Sequence, residues 1–199
     1  MNIGLDFDNT IACYDVVFHT VATEKSLIDP SVPVDKISVR DNLRKNNMEE
    51  EWIKLQGFVY GSAMKRVNAY EGVTEFLDWA KRKNHVCKII SHKTKHPYRG
   101  PKYDLHSTAR EWIETYFSNS NNILIEKKFI FFHQTKAEKI DQIGLQKCDI
   151  FVDDLPEILK AEKFPKGTRK ILFDPCSHHL KEPNIERISH WDQLKTLLT

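Results

Sequence analysis

Five short apolar runs recur along this 199-residue chain, at residues 2–7, 86–90, 128–132, 149–152 and 170–173. Each is rich in β-branched or aromatic residues, and none alternates cleanly with polar positions. Near-continuous apolar runs of this kind suit strands that are buried on both faces. Segments with helical spacing lie between most of them. Val73, Phe76, Leu77 and Ala80 share one face of 73–83, and Ala109, Trp112, Ile113 and Tyr116 share one face of 105–117. Shorter helical segments are read at 137–143 and 156–163. Strands that alternate with helices predict the α/β class, with a parallel sheet covered on both faces.

One stretch breaks the alternation. No convincing strand lies between Asp8 and Val86. Residues 13–25 and 48–69 read as helical, while 29–46 is polar and holds Pro30 and Pro33. This predicts a small helical insertion after the first strand.

Composition narrows the function classes. Apolar residues make up 40% and charged residues 29%, the balance of an ordinary globular protein. A net charge of +2 is too small to point to a nucleic-acid polymer or a membrane surface. No apolar stretch approaches the ~20 residues of a membrane-spanning helix, and no basic N-terminal region leads into a long apolar run, so no signal peptide is expected. Cys13, Cys87, Cys148 and Cys176 are scattered without paired spacing. Reduced thiols in a cytoplasmic protein are the expectation.

Chemistry concentrates at the ends of the strands. The first run leads into Asp6-Phe7-Asp8-Asn9-Thr10. Residues two apart in a strand point to the same side, so Asp6 and Asp8 would present their carboxylates together. Two like charges held side by side are costly unless a cation or a shared proton offsets them. The second run ends on Ser91-His92-Lys93-Thr94, and the fourth on Asp153-Asp154 with Glu157 shortly after. Lys136 and Lys139 lie just upstream of the fourth run. In a parallel α/β sheet these strand ends would converge on one crevice.

In family order, these residues resemble the four motifs of the haloacid dehalogenase-like (HAD) hydrolases. Asp6-Phe7-Asp8-Asn9-Thr10 looks like motif I, Ser91 falls at motif II, and Asp153-Asp154 resembles the motif IV acid pair. Lys136 is the best match to the motif III lysine, with Lys139 as the second candidate. The resemblance implies a Rossmannoid three-layer sandwich. Residues 1–12 and 71–199 would form its core, and residues 13–70 a helical cap. It also implies Mg²⁺-dependent hydrolysis of a phosphorylated small molecule, such as a sugar phosphate or a nucleotide. Asp6 would be the nucleophile and Asp8 the general acid and base, with Ser91 and Lys136 bearing on the phosphoryl group. Mg²⁺ would be held by Asp6, the backbone carbonyl of Asp8, and Asp154, with Asp153 orienting its water shell. Family dehalogenases generally lack an acid at the place of Asp8, so its presence favours phosphate chemistry. A phosphotransferase or phosphomutase, and a catalytically silent binding protein, are the alternatives.

The 91–106 loop adds Lys93, Lys95, Arg99 and Lys102, interleaved with histidines and tyrosines. A phosphate-bearing substrate would suit such a loop. Thr10, His92, Lys93 and Arg99 are therefore the expected substrate-binding residues. Glu157 reads equally as a first-turn helix residue, where negative charge is favoured. Cys176, His178 and His179 read as an exposed loop rather than a zinc site, since no second ligand pair has suitable spacing.

Overall fold

The computed structural model describes residues 1–119 and 122–199. Six parallel strands among them form one sheet: β1 (Asn2–Leu5), β2 (Val86–His92), β3 (Ile130–His133), β4 (Ile150–Asp153), β5 (Arg169–Phe173) and β6 (Glu186–Ile188). The helices are α1 (Asp15–Glu24), α2 (Lys36–Lys45), α3 (Glu49–Tyr60), α4 (Val73–Arg82), α5 (Leu105–Phe117), α6 (Lys136–Leu145), α7 (Pro156–Leu159) and α8 (Trp191–Leu197). No helix among the described residues is long and apolar enough to cross a membrane.

The chain forms two compact units, one of residues 1–12, 69–93 and 113–199, the other of residues 13–68 and 94–112. The first holds the sheet, in the order β3-β2-β1-β4-β5-β6. The chain thus builds outward from β1 in one direction, then returns to the other side of β1 at β4. Right-handed crossovers then place helices on opposite faces for the two halves. On one face, α4 and α8 meet through Phe76 and Trp191, with ring centroids 5.3 Å apart. On the other, Ile140 and Ile143 of α6 join Ile158 and Leu159 of α7 over Phe151 and Leu172. The result is the three-layer α/β sandwich that the alternating pattern predicts.

The second unit is helical. Phe18 of α1 stacks at 5.1 Å on Trp52 of α3, and Tyr14 meets Tyr60 edge-on at 4.9 Å. Here α2 lies within the stretch read as merely polar. It forms because Asp35 caps it, accepting a 2.6 Å hydrogen bond from the Ser38 amide, and because Val39 and Leu43 fall on one buried face. Residues 94–112 group with these helices, whereas the expected core took in all of 71–199. Two glycines of the helical unit account for the close approach. A Cβ on Gly57 would lie 2.7 Å from Pro97, and one on Gly61 2.5 Å from the Tyr103 ring.

Four further elements differ from the expected ones. Strand β2 runs two residues beyond Ile90, so Ser91 and His92 lie within it. The fourth run's helix stops at Leu159. β6 and α8 were not anticipated. β6 is held by its parallel pairing with β5, and α8 by the Phe173–Trp191 contact at 5.7 Å, rather than by local pattern.

Candidate active site

The order of the strands reverses between β1 and β4, and in open α/β sheets ligands bind outside the carboxyl ends at that switch point. Both strands end there on acids. The chain leaves β1 beside β4, with the Asp6 amide bonded to the Val152 carbonyl at 2.9 Å. It then turns tightly over residues 7–12. Ile11 and Ala12 both donate to the Phe7 carbonyl, and Asn9 takes a positive φ of 59°.

Asp6 is 4% exposed and Asp153 is fully buried. Lys139 Nζ lies 2.6 Å from Asp6 Oδ1 and 2.6 Å from Asp153 Oδ2. Ser91 Oγ donates to the same Asp6 oxygen at 2.8 Å. Asp6 Oδ1 thus accepts two hydrogen bonds, while Oδ2 accepts none from protein groups among the described residues. Asp153 Oδ1 is fixed by the Leu155 amide at 3.0 Å.

Lys139 occupies the place expected of Lys136. Lys136 is exposed and pairs with Glu157 at 2.7 Å, away from the acids. The reason lies in the helix. Thr135 caps α6 and forms a reciprocal capping box with Glu138, so Lys136 is the first helical residue. Helical side chains lean toward the N-terminus. A lysine at the first position therefore leans past the helix start, while one a turn further in leans back over the strand ends. The S/T-x-x-E signature at 135–138 was the available signal. Apolar periodicity misleads here, because Lys136 is spaced from Ile140 and Ile143 like a core position.

The remaining expected residues divide. Asp8 pairs with Lys93, whose Nζ lies 2.9 Å from each carboxylate oxygen. His92 is half-buried, and its Nε2 meets the Gln134 carbonyl at 2.9 Å. Thr10 is fully buried beside Asp8. Arg99 is exposed in the second unit, 3.7 Å from Glu50. Asp174 organises the 176–179 loop, accepting from the His178 and His179 amides.

The electrostatics call for a cation. Burial pushes the Asp153 carboxyl up to about 7, and the nearby charge of Asp6 adds to this, against the opposing pull of Lys139 and the Leu155 amide. Burial works against the charge of Lys139, but Asp153 and Asp6 outweigh it and hold the ammonium above the usual lysine value. Four carboxylates (Asp6, Asp8, Asp153 and Asp154) gather here, with the ammonium groups of Lys93 and Lys139 paired to three of them. Asp6, Asp153 and Asp154 each offer an oxygen within 4.8 Å of the others. Asn9 Oδ1 and Thr10 Oγ1, on the adjoining turn, are buried without a protein partner among the described residues. A hard divalent cation fits this all-oxygen donor set in type and in charge.

No protein-family model and no curated protein matches the sequence. Solved structures do match along nearly the whole chain. A HAD family hydrolase from Deinococcus radiodurans R1, with bound phosphate and sodium, aligns with a TM-score of 0.59 at 13% identity, over 99% of this chain and 94% of that one. An archaeal β-phosphoglucomutase from Pyrococcus sp. Strain ST 04 aligns with a TM-score of 0.56 at 15% identity, over 99% and 96%. A predicted phosphoglycolate phosphatase from Haemophilus somnus aligns with a TM-score of 0.55 at 15% identity, over 98% and 96%. The six-stranded parallel sheet with its flanking helices matches these solved HAD-superfamily hydrolases, and theirs is the fold of this chain.

Proposed function

We propose that this chain hydrolyses phosphomonoesters of small molecules, with Asp6 as the nucleophile. The observation that carries the reading is the asymmetry of Asp6. One oxygen is fixed by Ser91 and Lys139, and the other has no protein partner among the described residues. A carboxylate so held is oriented for attack with its second oxygen. Attack at phosphorus forms an Asp6 O–P bond while the ester P–O bond breaks, and the leaving oxygen takes that electron pair. Asp8 enters this step protonated and gives its proton to this oxygen. In the second step Asp8 takes a proton from water as the water oxygen bonds to phosphorus, and the Asp6 O–P bond breaks to release phosphate. Splitting one displacement into two in this way is the usual gain from a covalent intermediate.

Lys139 counters the repulsion between the anionic nucleophile and the phosphate. Ser91 would donate to the phosphoryl group once its single hydroxyl proton turns from Asp6. Mg²⁺ is the proposed cofactor, and Asp6, Asp153, Asp154 and the Asp8 backbone carbonyl would hold it. When bound, it supplies Lewis-acid stabilisation of the phosphoryl oxygens. Thr10, His92 and Arg99 remain proposed substrate contacts, and residues 13–70 the proposed cap. Four free cysteines, two of them buried, fit a reducing compartment such as the cytoplasm.

Likeness to a β-phosphoglucomutase supports phosphoryl transfer as a second reading. A panel of phosphorylated metabolites, assayed with Mg²⁺ and with chelator, separates the two. Phosphate release in water alone supports hydrolysis. Turnover only with an added acceptor supports transfer. No turnover with any compound contradicts both.

A further inference from the structure

We propose that Lys93 is a positioning residue for Asp8, and that it governs how well the chain handles esters with poor leaving groups. The inference rests on the assignment of Asp8 as general acid and base. Lys93 follows the last residue of β2, and its amide donates to the His133 carbonyl at 2.8 Å, which continues the ladder toward β3. The backbone of Lys93 is therefore fixed by the sheet. Its side chain turns to the loop after β1, where the ammonium bonds both oxygens of Asp8 at 2.9 Å. The Nζ also lies 5.5 Å from the centroid of the Phe7 ring. The Lys93 side chain is 2% exposed and that of Asp8 19%.

A lysine buried to this degree needs a partner, and this one has a carboxylate on a tight turn, bonded at both oxygens. With both oxygens engaged, the plane of the Asp8 carboxylate is set. Proton transfer at one oxygen then requires Lys93 to loosen one hydrogen bond, while the other keeps the orientation. The role differs from direct phosphate binding, which the position of Lys93 in a basic loop suggests. Its ammonium is directed to the acid.

The two roles predict different kinetics. An alkoxide leaving group is a strong base and needs the proton of Asp8 as the P–O bond breaks. The p-nitrophenolate ion is a weak base and departs largely unaided. Hydrolysis of glycerol phosphate and of p-nitrophenyl phosphate is therefore compared, with Mg²⁺, for the wild type, Lys93→Met, Lys93→Arg, Asp8→Asn, Asp6→Asn and the Lys93→Met/Asp8→Asn double variant. Lys93→Met is expected to lose about 10- to 10²-fold more in kcat on the alkyl ester than on the aryl ester, with KM little changed on both. Lys93→Arg is expected to restore most of the alkyl activity, because a guanidinium can bond both carboxylate oxygens. The double variant is expected to lose no more on the alkyl ester than Asp8→Asn alone.

Equal losses on both esters, a change confined to KM, or a further loss in the double variant would overturn the role. Where Lys93→Met fails to fold by circular dichroism, Lys93→Gln carries the same comparison. The underlying reading fails separately. A wild type inactive on both esters, or an Asp6→Asn enzyme that retains activity, overturns that reading and this inference with it. Equal losses with Lys93→Met while Asp6→Asn is inactive overturn this inference alone.

Discussion

At the scale of single residues, the site is a set of charges that tolerate burial only together. Lys139 is 1% exposed and bridges Asp6 and Asp153, both buried. Removing one partner of such a group leaves an uncompensated buried charge, which costs about 3–5 kcal/mol. Lys139→Met should accordingly lower the stability of the metal-free protein by about that amount in urea unfolding. Lys136→Met should change it by less than about 0.5 kcal/mol, because Lys136 forms only an exposed pair with Glu157. Most of the acids were legible from their spacing alone: Asp6, Asp8, Asp153 and Asp154 end apolar runs, and such runs in an α/β chain point their ends at one crevice. The lysine was not legible from spacing, because two lysines three residues apart differ only in how far into the helix they lie. Nor was the Lys93–Asp8 pair, which joins residues 85 positions apart across the sheet.

At the scale of elements, local chemistry sets where each piece starts and stops. The capping box at Thr135 starts α6 and so decides which lysine faces the acids. The Asp35 cap lets α2 form in a polar stretch with two prolines just before it, and Asp35→Ala should cost about 1 kcal/mol of stability. The packing of residues 94–104 depends on what Gly57 and Gly61 lack. A Cβ at Gly61 would stand 2.5 Å from the Tyr103 ring, and overpacking of this kind costs about 1–3 kcal/mol. Gly61→Ala should lower the urea midpoint and speed proteolytic cleavage within 94–104, while a variant cleaved no faster than the wild type would contradict this packing. The strands of the core were readable from their apolar runs. β6, α8 and α2 were not, because β6 is held by pairing with β5, α8 by the aromatic contacts of Trp191, and α2 by its Asp35 cap, rather than by a long periodic face.

At the scale of the molecule, the sheet order converts sequence motifs into a site. β1 and β4 lie side by side at the reversal of the sheet, so acids about 150 residues apart in the chain meet there. The same sheet buries two thiols that resist ionisation. Burial pushes Cys87 up to about 12 and Cys148 up to about 11. An unfolded thiol ionises near pH 8.5, so the unfolded chain loses these protons first. The stability they contribute is fully present below about pH 8.5, and falls as pH rises toward the folded values, by about 1.4 kcal/mol per thiol per pH unit. Urea unfolding between pH 8 and 10 should show a shallower decline for Cys87→Ala than for the wild type, and parallel declines would contradict this. The central claim, however, is that Asp6 accepts the phosphoryl group. It is tested most directly by quenching the enzyme in acid during turnover with Mg²⁺ and locating the added phosphate by peptide mass spectrometry. The account predicts phosphate on Asp6, and neither adduct nor turnover in Asp6→Asn. Phosphate on another residue, or full turnover by Asp6→Asn, would contradict it.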